Sequence, residues 1–330
     1  MDHRTGTAAI YAAGHFLVDL ACAFALFRFV RPAGDWPLAA LLYNFCAFAG
    51  QMPLGLLADR FGHGRLFAAA GCALTAAAWL LPGAPVALAV MAGVGNALYH
   101  IGGGVDTLAL SEDKAGLLGL FVSPGAFGLF LGTFFGKGSF PAAIPPLALL
   151  ATGAAILLLC QKPKTPPLSL DLDRTALGAL AALFLVVCLR SYAGFLFTFP
   201  WKTGAWSWIF LACVVLGKTA GGFLYDRLGG GRTAILSLGP AAILFLLSRS
   251  PGAGCLAVLL FNMTMPVTLR AAADLLPGAK GFSFGLLTFA LFLGFLPSYL
   301  ALPGIAAGWM YAGLTLLSLA LLLPALRRRS

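Results

Sequence analysis

Long apolar runs recur along the whole chain, and short segments rich in Gly, Pro and charged residues separate them. A membrane-spanning helix needs about 20 apolar residues in succession, and the breaks delimit twelve such runs. In the first half they cover 7–30, 36–58, 65–81, 85–107, 115–136 and 141–160. In the second half they cover 175–199, 205–225, 232–248, 253–273, 281–300 and 303–325. The pattern predicts an all-α membrane protein with twelve transmembrane helices.

The composition agrees with a chain that lies mostly in lipid. Of its 330 residues 60% are hydrophobic and 10% are charged, whereas about a quarter of the residues of a soluble domain are charged. The first run starts near Thr7 and is too long for a signal-peptide core, so we expect it to be retained as a helix. The seven cysteines lie within or at the ends of apolar runs without metal-type spacing. We therefore predict neither a metal site nor a cofactor.

The basic residues lie mainly in the segments between spans, which predicts the orientation in the membrane. With both termini cytoplasmic, thirteen fall on the inner side: Arg4, Arg60, Arg65, Lys114, Lys162, Lys164, Arg174, Arg227, Arg232, Lys280, Arg327, Arg328 and Arg329. Five fall on the outer side: Arg28, Arg31, Lys137, Lys202 and Arg249. The positive-inside rule favours this orientation, in a multi-pass protein of the cytoplasmic (inner, plasma) membrane. The net charge of +10 is thus assigned to topology and not to a nucleic-acid partner.

An internal repeat divides the chain into halves. Residues 50–65 read GQMPLGLLADRFGHGR and residues 217–232 read GKTAGGFLYDRLGGGR, identical at eight of sixteen positions. A polar linker, 161–174, lies between the copies. The repeat predicts two pseudo-symmetric six-helix bundles, 1–160 and 175–330, joined by a cytoplasmic linker. Shared charged and glycine positions are Gly55, Asp59, Arg60, Gly62 and Arg65 in the first copy, and Gly222, Asp226, Arg227, Gly229 and Arg232 in the second.

This turn resembles the signature of the major facilitator superfamily, G-x-L-x-D-R-x-G-R-[KR]. His63 and Gly64 replace the basic pair expected after Gly62, and Arg65 follows one position late. The resemblance implies alternating access, in which two bundles rock about a central substrate site. It also implies that Asp59 braces the N-terminus of a neighbouring helix in one state, because a carboxylate is attracted to that end of the helix dipole.

Ionisable residues inside the spans are the candidate site, because each costs about 2.5–3.5 kcal/mol to insert at the centre of a membrane helix. Tyr11, His15 and Asp19 form one polar stripe on the first span, and Asn96 and His100 share a face of the fourth. Asp19 is expected at mid-depth, where a carboxylate can take up and release a proton. A structural hydrogen bond to another helix is the alternative for Asp19, and a satisfied buried histidine is the alternative for His100.

The second half carries cations inside its spans. Arg190 lies in the seventh, Lys218 in the eighth and Arg270 in the tenth, which also holds Asn262. The resemblance implies that the first, fourth, seventh and tenth helices line the cavity, so that the two polar sets face each other. An ion pair between Asp19 and Arg190 without a substrate role is the alternative. Lys218 and Arg270 also lie near the inner boundary, where they can serve topology.

These residues predict a secondary active transporter, working as a monomer, that moves a small organic anion with protons as the coupling ion. GHFLVDL (14–20) and GNALYHIGGG (95–104) resemble the fosmidomycin-resistance branch of the superfamily, which supports small-anion transport. Efflux of amphipathic drugs or lipids is the alternative within transport, and a non-transporting receptor is the alternative outside it. No H-E-x-x-H or G-x-S-x-G motif is present, so we predict that the chain is not an enzyme.

Overall fold

The computed structural model describes residues 3–34, 36–164, 166–300, 302 and 304–327, and these fold into helices and connecting loops without a strand. Arg328 and Arg329, counted above as inner charges, lie outside the described residues. Nine of the described helices are long and apolar enough to cross a membrane, and three shorter apolar helices complete the set of twelve.

The twelve helices follow the predicted order. In the first half they are α1 (His3–Ala33), α2 (Trp36–Phe61), α3 (Gly64–Ala78), α4 (Pro85–Leu110), α5 (Gly116–Lys137) and α6 (Ile144–Leu159). In the second half they are α7 (Arg174–Leu196), α8 (Ala205–Leu228), α9 (Gly230–Leu246), α10 (Pro251–Leu275), α11 (Lys280–Tyr299) and α12 (Gly308–Leu326).

Four of the helices are irregular. A π-helical turn occupies Leu26–Val30 of α1 and another occupies Phe45–Ala49 of α2. The helix α5 is interrupted between Val122 and Gly125, at Pro124, and α10 between Asn262 and Thr264. The second break lies just before Pro266, whose ring displaces the carbonyl four residues earlier. This proline accounts for the interruption of α10.

Two compact units make up the chain. The first unit comprises Met1–Glu112, Pro124–Ser169 and Gly278–Phe289, and the second comprises Asp113–Ser123, Leu170–Pro277 and Ala290–Ser330. The units differ from the sequence halves because the start of α5 groups with the second unit and the start of α11 with the first. The division into bundles 1–160 and 175–330 stays a prediction.

Close backbone contact between helices holds each unit together. In the first unit Gly128 and Gly132 of α5 lie against the backbone of α1, where a Cβ on either would meet the carbonyl oxygen of Phe16 or Leu20. In the second unit Gly217 of α8 lies in the same way against Leu259 of α10. Small residues at such contacts let membrane helices pack by van der Waals attraction where no hydrophobic driving force exists.

Candidate functional site

The polar stripe of α1 divides between two places in the first unit. Tyr11 donates its hydroxyl hydrogen bond to Oδ2 of Asp106 at 2.6 Å, and Asp106 is 2% exposed on α4. His15 and Asp19, one and two turns further along α1, contact Asn96 and His100 instead. Tyr11 therefore pairs with Asp106, near the end of α4, and is not a member of the His15 and Asp19 group.

His15, Asp19, Asn96 and His100 form one polar cluster, hereafter the first-unit cluster, in which Asp19 is half-buried and the other three residues are buried. Nε2 of His15 lies 3.2 Å from Oδ2 of Asp19, and Nε2 of His100 lies 3.7 Å from Oδ1. The two Nε2 atoms are 2.9 Å apart. Asn96 donates from Nδ2 to Oδ1 of Asp19 at 2.9 Å. The structure thus brings together the four residues that the sequence singled out in this half.

The hydrogen bonds of the first-unit cluster determine where its protons can be. Nδ1 of His100 lies 2.8 Å from the backbone carbonyl oxygen of Asn96, and a carbonyl only accepts, so this nitrogen carries hydrogen. In a neutral imidazole the other nitrogen is then an acceptor. Nε2 of His100 consequently faces Nε2 of His15 and the Asp19 carboxylate as a lone pair. The cluster can take up one further proton on this nitrogen, beside the carboxylate.

Arg190 is the buried cation of α7 in the second unit. Arg190 is only 8% exposed. Its Nη1 donates a hydrogen bond to Oγ1 of Thr268 on α10 at 3.3 Å. Among the described residues of the second unit, no carboxylate forms an ion pair with this guanidinium. A neutral hydroxyl leaves most of the five guanidinium donors for another acceptor. The arrangement suits an oxyanion.

The other candidates of the second unit have local partners. Arg270 forms a buried ion pair with Asp274, one turn further along α10. Lys218 donates from Nζ to the carbonyl oxygen of Val122 at 3.4 Å, and Asn262 donates to the carbonyl oxygen of Val258 at 2.8 Å. Their predicted roles in binding or coupling stay predictions.

Among the solved structures that share this arrangement of helices are three of transporters. A variant of the fucose:proton symporter FucP of E. coli is 15% identical, with a TM-score of 0.74 and 100% of both chains covered. FucP in an outward conformation is 15% identical, with a TM-score of 0.63 over 98% of this chain and 99% of that one. The human organic anion transporter MFSD10 is 18% identical, with a TM-score of 0.68 over 98% and 100%. The chain has the major facilitator superfamily fold.

The superfamily fold confirms the predicted architecture of twelve helices. No protein-family model and no curated protein sequence matches the chain, and at these low identities the likeness concerns the fold. The resemblance to the fosmidomycin-resistance branch stays a prediction. The solved structures named above are of transporters.

The superfamily turn makes the same contact in both of its copies. Asp59 accepts hydrogen bonds from the backbone N–H groups of Gly281 at 2.7 Å and Phe282 at 2.8 Å, at the start of α11. Asp226 accepts those of Ala115 at 2.6 Å and Gly116 at 3.1 Å, at the start of α5. Each carboxylate meets unsatisfied donors and the positive end of a helix dipole.

The glycines of the turn have two distinct tasks. Gly62 and Gly229 end α2 and α8 with φ of 62° and 78°. Residues other than Gly rarely adopt such positive φ angles. Gly55 and Gly222 allow close approach, because a Cβ there would meet the backbone of Gly281 or Ala115. The arginines of the turn are more exposed to the surroundings of the protein. Arg60, Arg227 and Arg232 are exposed, and Arg65 is half-buried.

Sequence reasoning missed Thr268 and Asp274, neither of which lies in the repeated turn of 50–65 and 217–232. Thr268 of α10 contacts Arg190 of α7, and Asp274 pairs with Arg270 one turn earlier on α10. Both residues are therefore defined by the arginines that they contact.

Proposed function

We propose that the chain is a secondary active transporter that works by alternating access and couples the movement of a small organic anion to that of protons. The observation that carries the proposal is the buried charge on the first helix of each half: Asp19 beside two histidines, and Arg190 beside a hydroxyl. An ionisable residue at membrane depth is costly and is retained where it has a function.

Each of the two sets suits one part of this activity. The first-unit cluster offers a carboxylate and an imidazole lone pair that share a proton, which is the chemistry of a proton relay. Arg190 offers planar donors that match a carboxylate, phosphate or phosphonate group. Among the structures of the same fold, one is of a fucose:proton symporter and another of an organic anion transporter. These two proteins of the same fold thus provide precedent, one for proton coupling and the other for anion transport.

The membrane orientation that we propose follows from the distribution of charged residues along the chain. We place the chain in the cytoplasmic membrane as a monomer, with both termini on the cytoplasmic side. The seven inner basic residues between Arg4 and Arg174 support that orientation. Asp59 and Asp226, with the other residues of the two turns, are proposed to serve the conformational change, and substrate contact is assigned to Arg190.

Transport into proteoliposomes tests the proposal. Purified protein is reconstituted, and uptake of labelled phosphonates and carboxylates is measured with and without a pH gradient. We expect accumulation that depends on the gradient and is lost in Asp19→Asn, which keeps the shape of the side chain but not its charge. Asp113→Asn, at an exposed loop position, is the matched control. Accumulation that ignores the gradient would contradict proton coupling.

A further inference from the structure

Three atoms able to bind a metal ion converge in the first-unit cluster. They are Nε2 of His15, a carboxylate oxygen of Asp19 and Nε2 of His100, all within 4.8 Å of one another. Two of the residues lie one turn apart on α1, and the third lies 85 positions later in the chain on α4. Sequence spacing therefore did not reveal the set.

The separations in this group are close to those around a single ion. The two nitrogens are 2.9 Å apart, Nε2 of His15 lies 3.2 Å from Oδ2 of Asp19, and Nε2 of His100 lies 3.7 Å from Oδ1 of the same carboxylate. Ligands about 2.1 Å from a metal lie about 3.0 Å apart at right angles and about 3.4 Å apart at the tetrahedral angle. No large rearrangement of either helix is needed to bring all three atoms to one ion.

The neighbours of the three ligands orient them for coordination. His100 keeps its Nε2 lone pair directed at the cluster because Nδ1 donates to the carbonyl oxygen of Asn96 at 2.8 Å. The amide of Asn96 in turn holds the Asp19 carboxylate at 2.9 Å. A histidine whose second nitrogen donates to a carbonyl, and a carboxylate that accepts a hydrogen bond, are the usual surroundings of metal ligands.

The helix α5 places a glycine, which has no side chain, next to the ligand atoms of the first-unit cluster. Gly125 begins the second part of α5, and a Cβ there would collide with Nε2 of His15 and Oδ2 of Asp19. Any larger residue would therefore displace two of the three ligand atoms. The glycine lets α5 pack against the cluster without displacing these atoms.

We propose that His15, Asp19 and His100 form a binding site for a divalent transition-metal ion of the zinc, cobalt and nickel type. Two imidazoles and one carboxylate suit these ions, whereas Mg²⁺ and Ca²⁺ prefer oxygen ligands alone. Three protein ligands leave a further position for water.

Co²⁺ titration of the purified full chain in detergent tests the site without any transport measurement, so its failure is distinct from failure of the proposed function. The protein is purified without a histidine tag, because a tag would itself bind Co²⁺. We expect one Co²⁺ per chain with a visible absorption band. Loss of a ligand in Asp19→Asn or His100→Gln should weaken binding by at least about 100-fold, and Asn96→Ala by about 10- to 100-fold, as for other supporting residues of metal sites. His63→Asn, at an exposed histidine, should bind as the parent does.

X-ray absorption spectra of the Zn²⁺-loaded parent protein give a readout that needs no variant. We expect two imidazoles and oxygen donors at about 2.0–2.1 Å, as in other zinc sites. A bound ion without imidazole ligands, binding that survives both ligand substitutions, or a titration without Co²⁺ uptake each overturns the proposal. Melting curves of the variants establish that a loss of binding does not come from unfolding.

Discussion

Arg190 and Arg270, both buried in the second half, differ in their partners. Arg270 has Asp274 on its own helix, where the carboxylate balances the charge of the guanidinium. Arg190 has the hydroxyl of Thr268, which accepts a hydrogen bond but carries no charge. A buried cation with a neutral partner gains from an anionic ligand, because the ligand balances its charge as well as accepting its hydrogen bonds.

Substitution of Arg190 tests its role in anion binding. A hydrogen bond to a charged group contributes about 1.5–3 kcal/mol, so Arg190→Ala should weaken apparent anion affinity by at least about tenfold. Arg190→Lys should retain part of it, because the charge remains while the planar donors are lost. Equilibrium binding of labelled anion to purified protein measures the effect, with exposed Arg249→Ala as control. Unchanged binding in Arg190→Ala would instead favour efflux of amphipathic compounds.

Some of the candidate residues could be predicted from the sequence, because polar residues are rare on apolar membrane helices. His15, Asp19, Asn96 and His100 stand out on apolar helices and do meet. Their partners outside this set were less predictable. Tyr11 shares a helical face with His15 yet bonds to Asp106, because a stripe running along a helix meets different residues at each turn of its neighbour.

The helices themselves follow closely from the pattern of apolar runs, because each must cover the thickness of a bilayer. Their irregularities do not. The π-helical turns at Leu26–Val30 and Phe45–Ala49 each add a residue to a turn within continuous apolar sequence, which leaves no mark in hydropathy. The break in α10, by contrast, follows from Pro266, a residue with a known steric effect.

The end of α2 provides a test at this scale. Gly62 adopts φ of 62°, and a Cβ in the left-handed region costs roughly 1–2 kcal/mol. Gly62→Ala should therefore lower the melting temperature of the purified protein. Gly178→Ala in α7 is the matched control, since that glycine is helical and no atom lies within 4 Å of an added Cβ. Equal melting temperatures for the two variants would show that the turn tolerates other backbone angles.

The whole molecule repeats one contact, a turn carboxylate on the N-terminus of a helix. Asp59 contacts the start of α11 within the first unit, and Asp226 contacts the start of α5 within the second. The duplication of these residues was visible in sequence. Their partners were not, because the motif does not specify which helix the carboxylate meets.

Neutral substitution of either carboxylate should slow transport while leaving anion binding intact, because neither residue belongs to the proposed binding site. In Asp59→Asn the side chain can still accept a hydrogen bond but loses its charge, which weakens its attraction to the start of α11. Asp226→Asn should have a similar effect on α5. Initial transport rate and equilibrium binding are compared for each variant, with Asp113→Asn as reference. Equal losses of both quantities would assign these residues to the binding site instead.

The grouping of residues 113–123 with the second unit and 278–289 with the first has a consequence for a chain that is cut between its halves. Each half contributes a short segment to the unit formed mainly by the other, as identical subunits do when they exchange an element in a domain-swapped dimer. A chain severed within 161–174 should then reassemble from its two co-expressed fragments, while neither fragment alone contains a complete unit.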